Sequence, residues 1–189
     1  MHRRFLASLL VLSAAAVLLL GVRAPLARAA EAPPRPTTLI LVRHAEKDLA
    51  GDARDPGLSE AGQARAERLA HLLSSAAVTH LYATEFRRTQ ATLEPLAQAS
   101  GKKIEVFPGA KTKDLCAALD ALPGGAVVVV AGHFNTIPAV AAHLGLALAG
   151  LEPTANGPLI PENAYDRLYA ITLPSKGSQS DWSLLELRY

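Results

Sequence analysis

Three short stretches hold residues that could do chemistry together: LILVRHAEKD at 39–48, TEFRR at 84–88 and GHFNT at 132–136. Each begins or turns polar where an apolar run ends. Between them they supply two histidines, His44 and His133, and at least two arginines, Arg43 with the pair Arg87 and Arg88. Neutral imidazole is nucleophilic near pH 7 and also donates hydrogen bonds. A guanidinium fork matches the oxygens of a phosphate group. The second and third stretches open helices, whose free N–H groups suit anions. The combination points to an anionic, tetrahedral ligand. A histidine attacking phosphorus would form a phosphohistidine that water then hydrolyses. The arginines and the second histidine would stabilise charge on the equatorial oxygens.

Positioning these groups requires strands that end at one rim. The run TTLILV reads as a buried strand. The helix that follows, LSEAGQARAERLAHLLSS, has Ser59 as N-cap and Leu58, Ala61, Leu69, Leu72 and Leu73 on one side. A strand at 78–83 precedes a helix that Thr84 could cap and Gly101 could close, with Pro95 inside it. A short strand at 103–107 and a helix at 112–122 come next, the latter stopped by Pro123-Gly124-Gly125. AVVVVA, at 126–131, is β-branched and apolar on both faces, and a helix from Thr136 toward Leu146 carries Pro138 in its first turn. After a Pro/Gly-rich loop at 150–163, strands at 166–173 and 181–187 should pair antiparallel. The expected fold class is α/β: a three-layer sandwich, mostly parallel, with an antiparallel edge. In such sheets ligands bind outside the carboxyl ends of the strands, where all three stretches fall.

These residues carry a family resemblance. RHA after the first strand resembles the R-H-G/A signature of the histidine phosphatase superfamily, with its phosphoglycerate mutase-like fold. TEFRRTQAT resembles that family's S-x-L-x-R-[AT]-x-x-T element, and aligning the threonines at Thr92 puts the second arginine at Arg88 rather than Arg87. GHFNT resembles the second histidine element. Each motif alone is weak, but three in order, each after a strand, are specific. The resemblance runs from about Thr38 to Leu173 and includes the small phosphohistidine phosphatases. It implies a phosphatase with His44 as the phosphorylated nucleophile. Arg43, Arg88 and His133 would bind the phosphoryl group, Asn135 would add a donor, and no cofactor or metal is implied.

The family's general acid is less legible. In one branch it follows the second histidine directly, but here that residue is Phe134. Glu105 and Asp114 lie downstream of Arg88, and Glu46 lies close to His44. Each could equally be a solvated carboxylate. Without such an acid, good leaving groups would be favoured. The short span between Arg88 and the next helix leaves no room for a cap domain, so an open site favouring hydrolysis is expected. The alternative function is an inactive phosphate- or partner-binding module of the same fold. His71, His80 and His143 form no metal-ligand spacing and read as structural or surface residues.

The first residues have a different purpose. Arg3 and Arg4, an apolar run from Phe5 to Leu20 and the small-residue site Ala27-Arg28-Ala29 match a secretory signal peptide. An uncleaved membrane anchor is the competing reading, although the run is shorter than the ~20 residues a spanning helix needs. The expected organisation is a signal segment at 1–29, a linker at 30–37 and one domain at 38–189. The whole chain has 19 basic and 17 acidic side chains. Residues 1–29 hold four arginines and no acid, so the remainder has 15 basic against 17 acidic, formally −2. Nothing in that balance suggests nucleic acid as a partner. The expected location is periplasmic or extracellular, and the expected substrate a phosphorylated small molecule, envelope glycolipid or protein. Membrane association would come only through an uncleaved signal segment. The single cysteine, Cys116, reads as a small buried hydrophobe.

Overall fold

A computed structural model describes residues 35–175 and 182–189. The expected signal segment and its cleavage site lie outside the described residues. Among the described residues no helix is long and apolar enough to cross a membrane. The elements are β1 (Thr37–Arg43), α1 (Glu60–Leu72), β2 (His80–Thr84), α2 (Arg87–Ser100), β3 (Ile104–Phe107), α3 (Thr112–Asp120), β4 (Val127–Gly132), α4 (Thr136–His143), β5 (Arg167–Leu173) and β6 (Ser183–Arg188). They match the expected order, with α3 and α4 shorter at their C-terminal ends.

Six strands form one sheet in the order β3-β2-β4-β1-β5-β6. Strands β1 to β4 are parallel, while β5 runs antiparallel to β1 and β6 antiparallel to β5. Because successive side chains alternate across a strand, β1 feeds two cores. Leu39 and Leu41 join Val128, Val130, Leu115, Leu119, Ile137 and Val140 under α3 and α4. Ile40 and Val42 join Leu81, Val129, Leu69, Leu93 and Leu96 under α1 and α2. Both faces of β1, β2 and β4 are therefore buried, which suits their apolar runs, while the edge strand β3 is largely exposed. Cys116 is buried in the first of these cores.

Register brings the polar strand ends together. Arg43 pairs with Gly132 across β1 and β4, and Ala83, next to Thr84, pairs with Ala131 across β2 and β4. Chain order reverses here, since β4 returns to lie between β1 and β2, so the rim is the sheet's switch point.

Two expectations about helices change. The buried stripe of α1 is Gly62, Ala66, Leu69 and Ala70, continued by Leu73, while Ala61 and Leu72 are exposed. Small residues face the interior because the backbone after β1 passes very close. The Ser59 cap does form, accepting from the Gly62 N–H at 3.2 Å. Thr84, by contrast, does not cap α2. The N-cap position is Phe86, with no side-chain bond of its own. Asp55, from the loop after β1, accepts from the Arg87 N–H instead, at 3.1 Å.

Gly62 shows how tight the first approach is. A Cβ there would overlap the Glu46 carbonyl, two residues beyond His44. Alanine normally stabilises a helix over glycine by about 1 kcal/mol, but here the sign should reverse. Gly62→Ala should cost about 1–3 kcal/mol, the usual penalty of overpacking. Chemical denaturation measures this directly, and a stabilised variant would contradict the close approach.

Candidate active site

His44 sits just past β1, and its backbone N–H donates to the Gly132 carbonyl at 2.9 Å. The next residue's N–H, from Ala45, donates to the Thr92 hydroxyl at 2.9 Å, and Thr92 donates to the Arg88 carbonyl at 2.7 Å. Thr92 thus ties the His44 turn to α2. The His44 ring is buried, with Nδ1 at 2.8 Å from the Ala45 carbonyl. A carbonyl only accepts, so Nδ1 carries the proton and the neutral ring keeps its lone pair on Nε2.

His133 follows β4 and lies 5.3 Å from His44, centroid to centroid. Its Nε2 is 2.8 Å from the Thr84 hydroxyl, which is 2.9 Å from the Thr89 hydroxyl. Thr89 is also 2.7 Å from the Phe86 carbonyl and 2.9 Å from the Thr84 carbonyl, and its one proton goes to these acceptors. Every contact then carries one proton only if Thr84 donates to Thr89 and the His133 Nε2–H donates to Thr84. This is the use the fold makes of Thr84 in place of the expected cap. Thr84→Val strands a buried imidazole N–H and should lower kcat about tenfold, with a stability cost of about 1–3 kcal/mol. Thr84→Ser should restore kcat, and equal rates for the valine and serine variants would argue against a positioning role.

Arg43 is 2% exposed. Its Nη1 donates to the Pro161 and Glu162 carbonyls at 2.9 and 2.7 Å, and its guanidinium stacks 4.2 Å from the Tyr165 ring centroid. Arg88 lies 3.6 Å from Asp55 and stacks on Phe86 at 4.5 Å. Both arginines have a buried Nε without a partner among the described residues. Burial lowers both guanidinium pKa values from the ordinary one. An anion arriving between them would offset that desolvation.

Burial also holds the histidines neutral. Desolvation, with Arg43, His133 and Arg88 nearby, pushes His44 down to about 3. Desolvation and the Arg88 charge push His133 down to about 4. In the unfolded chain both titrate near 6.5. Between that value and the folded ones the unfolded state binds more protons, so stability falls with falling pH. Denaturation midpoints should drop steadily from pH 7 to pH 4, and a His44→Gln, His133→Gln double variant should show a flatter profile. A wild-type profile no steeper than the variant's would contradict the burial.

Arg43, His44, Arg88 and His133 line one cleft of about 450 Å³, with Lys47, Arg54, Pro56, Phe134, Leu159 and Glu162 among its other walls. Arg87 lines a different groove of about 690 Å³, between the loop after β1 and the helices α1 and α2. That groove is rich in carboxylates and carboxamides, holds no histidine, and would repel a phosphate more than attract one. The two neighbouring arginines are thereby separated. The 150–163 loop, expected only as a connection, closes one side of the cleft. The Glu152–Leu159 bridge makes it a hairpin, and the Ile160 N–H donates to the Phe134 carbonyl at 2.9 Å.

The other candidate residues do not line this cleft. The Glu46 carboxylate is held by Arg65 at 2.7–3.0 Å, which lowers its pKa, and it does not line the cleft. Neither Glu105, exposed on the edge strand β3, nor Asp114, in the first turn of α3, lines it. Asn135 is exposed at the start of α4 and also lies outside the cleft. Tyr165, 5.8 Å from His44, was missed by sequence reasoning. Its one signal is an aromatic just before a strand whose start faces the rim. His143 pairs with Asp120 on the surface, away from the cleft.

The fold and the rim define a class: phosphoglycerate mutase-like α/β domains with two histidines and two arginines at the switch point of the sheet. A family model for the histidine phosphatase superfamily (branch 1) matches residues 39–116, ending before His133. Similar solved structures include mycobacterial hydrolase 2, at 18% identity and TM-score 0.59, covering 79% of this chain and 89% of that one. The protein histidine phosphatase SixA complexed with tungstate has 19% identity and TM-score 0.56, covering 80% and 96%. A mycobacterial glucosyl-3-phosphoglycerate phosphatase has 19% identity and TM-score 0.54, covering 79% and 97%. At these identities the likeness concerns the fold. No curated protein sequence matches the chain.

Proposed function

We propose that the chain is an exported phosphatase that hydrolyses phosphomonoesters through a phosphohistidine on His44. The observation that carries this reading is the His44 tautomer: Nδ1–H is committed to the Ala45 carbonyl, which keeps the lone pair on Nε2 in a cleft shared with Arg43, Arg88 and His133. Nε2 attacks phosphorus, and the bond to the leaving oxygen breaks. The two guanidiniums stabilise the equatorial oxygens. His133, already donating through Nε2, takes a proton from solvent at Nδ1 as the dianion arrives and donates it as a hydrogen bond, and the leaving oxygen takes its own proton from solvent. Water then attacks the phosphohistidine, releasing phosphate and restoring His44. The phosphatases of the same fold, SixA with its bound tungstate among them, support this reading.

Export rests on the Arg3-Arg4 pair, the apolar run and the Ala27-Arg28-Ala29 site. Incubating the purified chain with p-nitrophenyl phosphate and quenching in alkali should trap a base-stable, acid-labile phosphoryl group on His44. Absence of both turnover and label between pH 4 and 8 would leave a phosphate-binding module as the better description. Cell fractionation with N-terminal sequencing tests the export, and a cytosolic chain beginning at Met1 would refute it.

A further inference from the structure

Glu46 lies two residues past His44, but its carboxylate does not line the cleft. Two nitrogens of Arg65 hold it: Nε at 3.0 and 2.9 Å from the two oxygens, and Nη2 at 2.7 Å from one of them. The arginine side chain is 15% exposed and the glutamate 24%. An exposed ion pair contributes little, but this guanidinium is also held at its other end. Its Nη1 donates to the Tyr189 carbonyl, and the Tyr189 N–H donates to the Asp166 carbonyl at 2.9 Å, just before β5. Arg65 is thereby fixed on both sides. It reaches the segment after β1 because Gly62 brings α1 against the Glu46 backbone, and residues three apart on a helix share a face.

The carboxylate has one more partner. Arg65 lowers its pKa most, and a hydrogen bond from the Glu46 backbone N–H adds to that, against a desolvation that raises it. This N–H belongs to the same planar peptide as the Ala45 carbonyl. In a trans peptide the two groups point in opposite directions. Holding the N–H on the carboxylate therefore aims the Ala45 carbonyl at the His44 ring, where it accepts from Nδ1 at 2.8 Å. The neighbouring anchors act on other peptides. Thr92 takes the Ala45 N–H, and the Glu46 carbonyl accepts from the Ser59 N–H at 2.9 Å.

We propose that Arg65 and Glu46 are positioning residues for His44, keeping its proton on Nδ1 and its lone pair on Nε2 through the Ala45–Glu46 peptide. The inference rests on His44 being the nucleophile. Neither residue touches substrate. A ring that loses the Ala45 carbonyl is free to carry its proton on Nε2, and a protonated Nε2 has no lone pair with which to attack phosphorus.

The test combines kinetics with ¹⁵N NMR of the histidine rings on the whole chain, which distinguishes the nitrogen that bears the proton from the one that does not. The His44 signals are assigned by their loss in His44→Gln. Arg65→Met and Glu46→Leu should each move part of His44 to the Nε2–H form. They should lower kcat toward p-nitrophenyl phosphate about 10- to 100-fold with little change in KM, the range for groups that orient a reacting side chain. Glu46→Gln keeps an oxygen for its own N–H and should retain most of the Nδ1–H form. Arg65→Lys keeps the charge without the fork and should fall between wild type and Arg65→Met. Tyr189→Ala is the control for a purely structural loss, since the Tyr189 ring packs 5.6 Å from the same guanidinium. It should lower the denaturation midpoint and leave the His44 tautomer and kcat in place. Arg65→Met with the wild-type tautomer would overturn the proposal, whatever its stability, and so would wild-type kcat in that variant. Absence of turnover by the wild type, with the tautomer still moved in Arg65→Met, would remove the phosphatase reading and keep the positioning.

Discussion

His44→Ala lowers kcat/KM toward p-nitrophenyl phosphate by roughly 10⁴-fold or more, the scale at which covalent catalysis collapses when its nucleophile is removed. The expectation follows from geometry. The turn that carries His44 is fixed from three directions: by the Gly132 carbonyl, by the Thr92 hydroxyl and by the Ala45 carbonyl on Nδ1. Arg43, Arg88 and His133 remain in the variant, so phosphate should still bind while the covalent step is lost. Steady-state kinetics with a phosphate-competition assay separates the two. Residual activity within tenfold of wild type would mean that water attacks directly and His44 only binds. Below pH 6.5 the variant should also lose less stability than wild type, because it lacks one buried imidazole that must charge on unfolding.

Arg43→Ala should lose function and stability together. Its Nη1 holds two carbonyls of the 160s segment and its guanidinium covers Tyr165. Hydrogen bonds from a charged group contribute about 1.5–3 kcal/mol each at best, and truncating so large a buried side chain leaves a cavity. A loss of about 3 kcal/mol is expected in chemical denaturation. Catalysis should fall by about 10²–10³-fold, as when one oxyanion donor is removed. Arg43→Lys keeps the charge but not the planar fork, so it should recover only part of either quantity. If Arg43→Ala kept full stability, the 160s segment would not depend on this side chain. If it kept full activity, the phosphoryl group would be bound without it.

Much of the fold is legible because the central strands are short, apolar and buried on both faces, and because Ser59 and Gly101 punctuate their helices locally. The α1 face was misplaced since Gly62 and Ala66 carry little hydrophobic signal. Gly62 faces inward where the backbone at Glu46 leaves no room for a Cβ. Thr84 was misassigned as a cap since its partner, His133, lies 49 residues away. Glu46 suggested an acid by proximity, and its commitment to Arg65, 19 residues on, is not visible in the local sequence. Asn135 stands beside His133 in the chain, yet the start of α4 leaves it exposed outside the cleft.

The sequence by itself determined which residues stand at the strand ends and in what order. That information is local, written in apolar runs that stop at Arg43, Thr84 and Gly132. The tertiary structure alone decided which nitrogen of His44 keeps its lone pair and which wall Phe134 and the 150–163 hairpin build. Those outcomes depend on partners as distant as 119 residues, between Arg43 and Glu162. Contacts at such separation follow from sheet order and register, which no local pattern encodes.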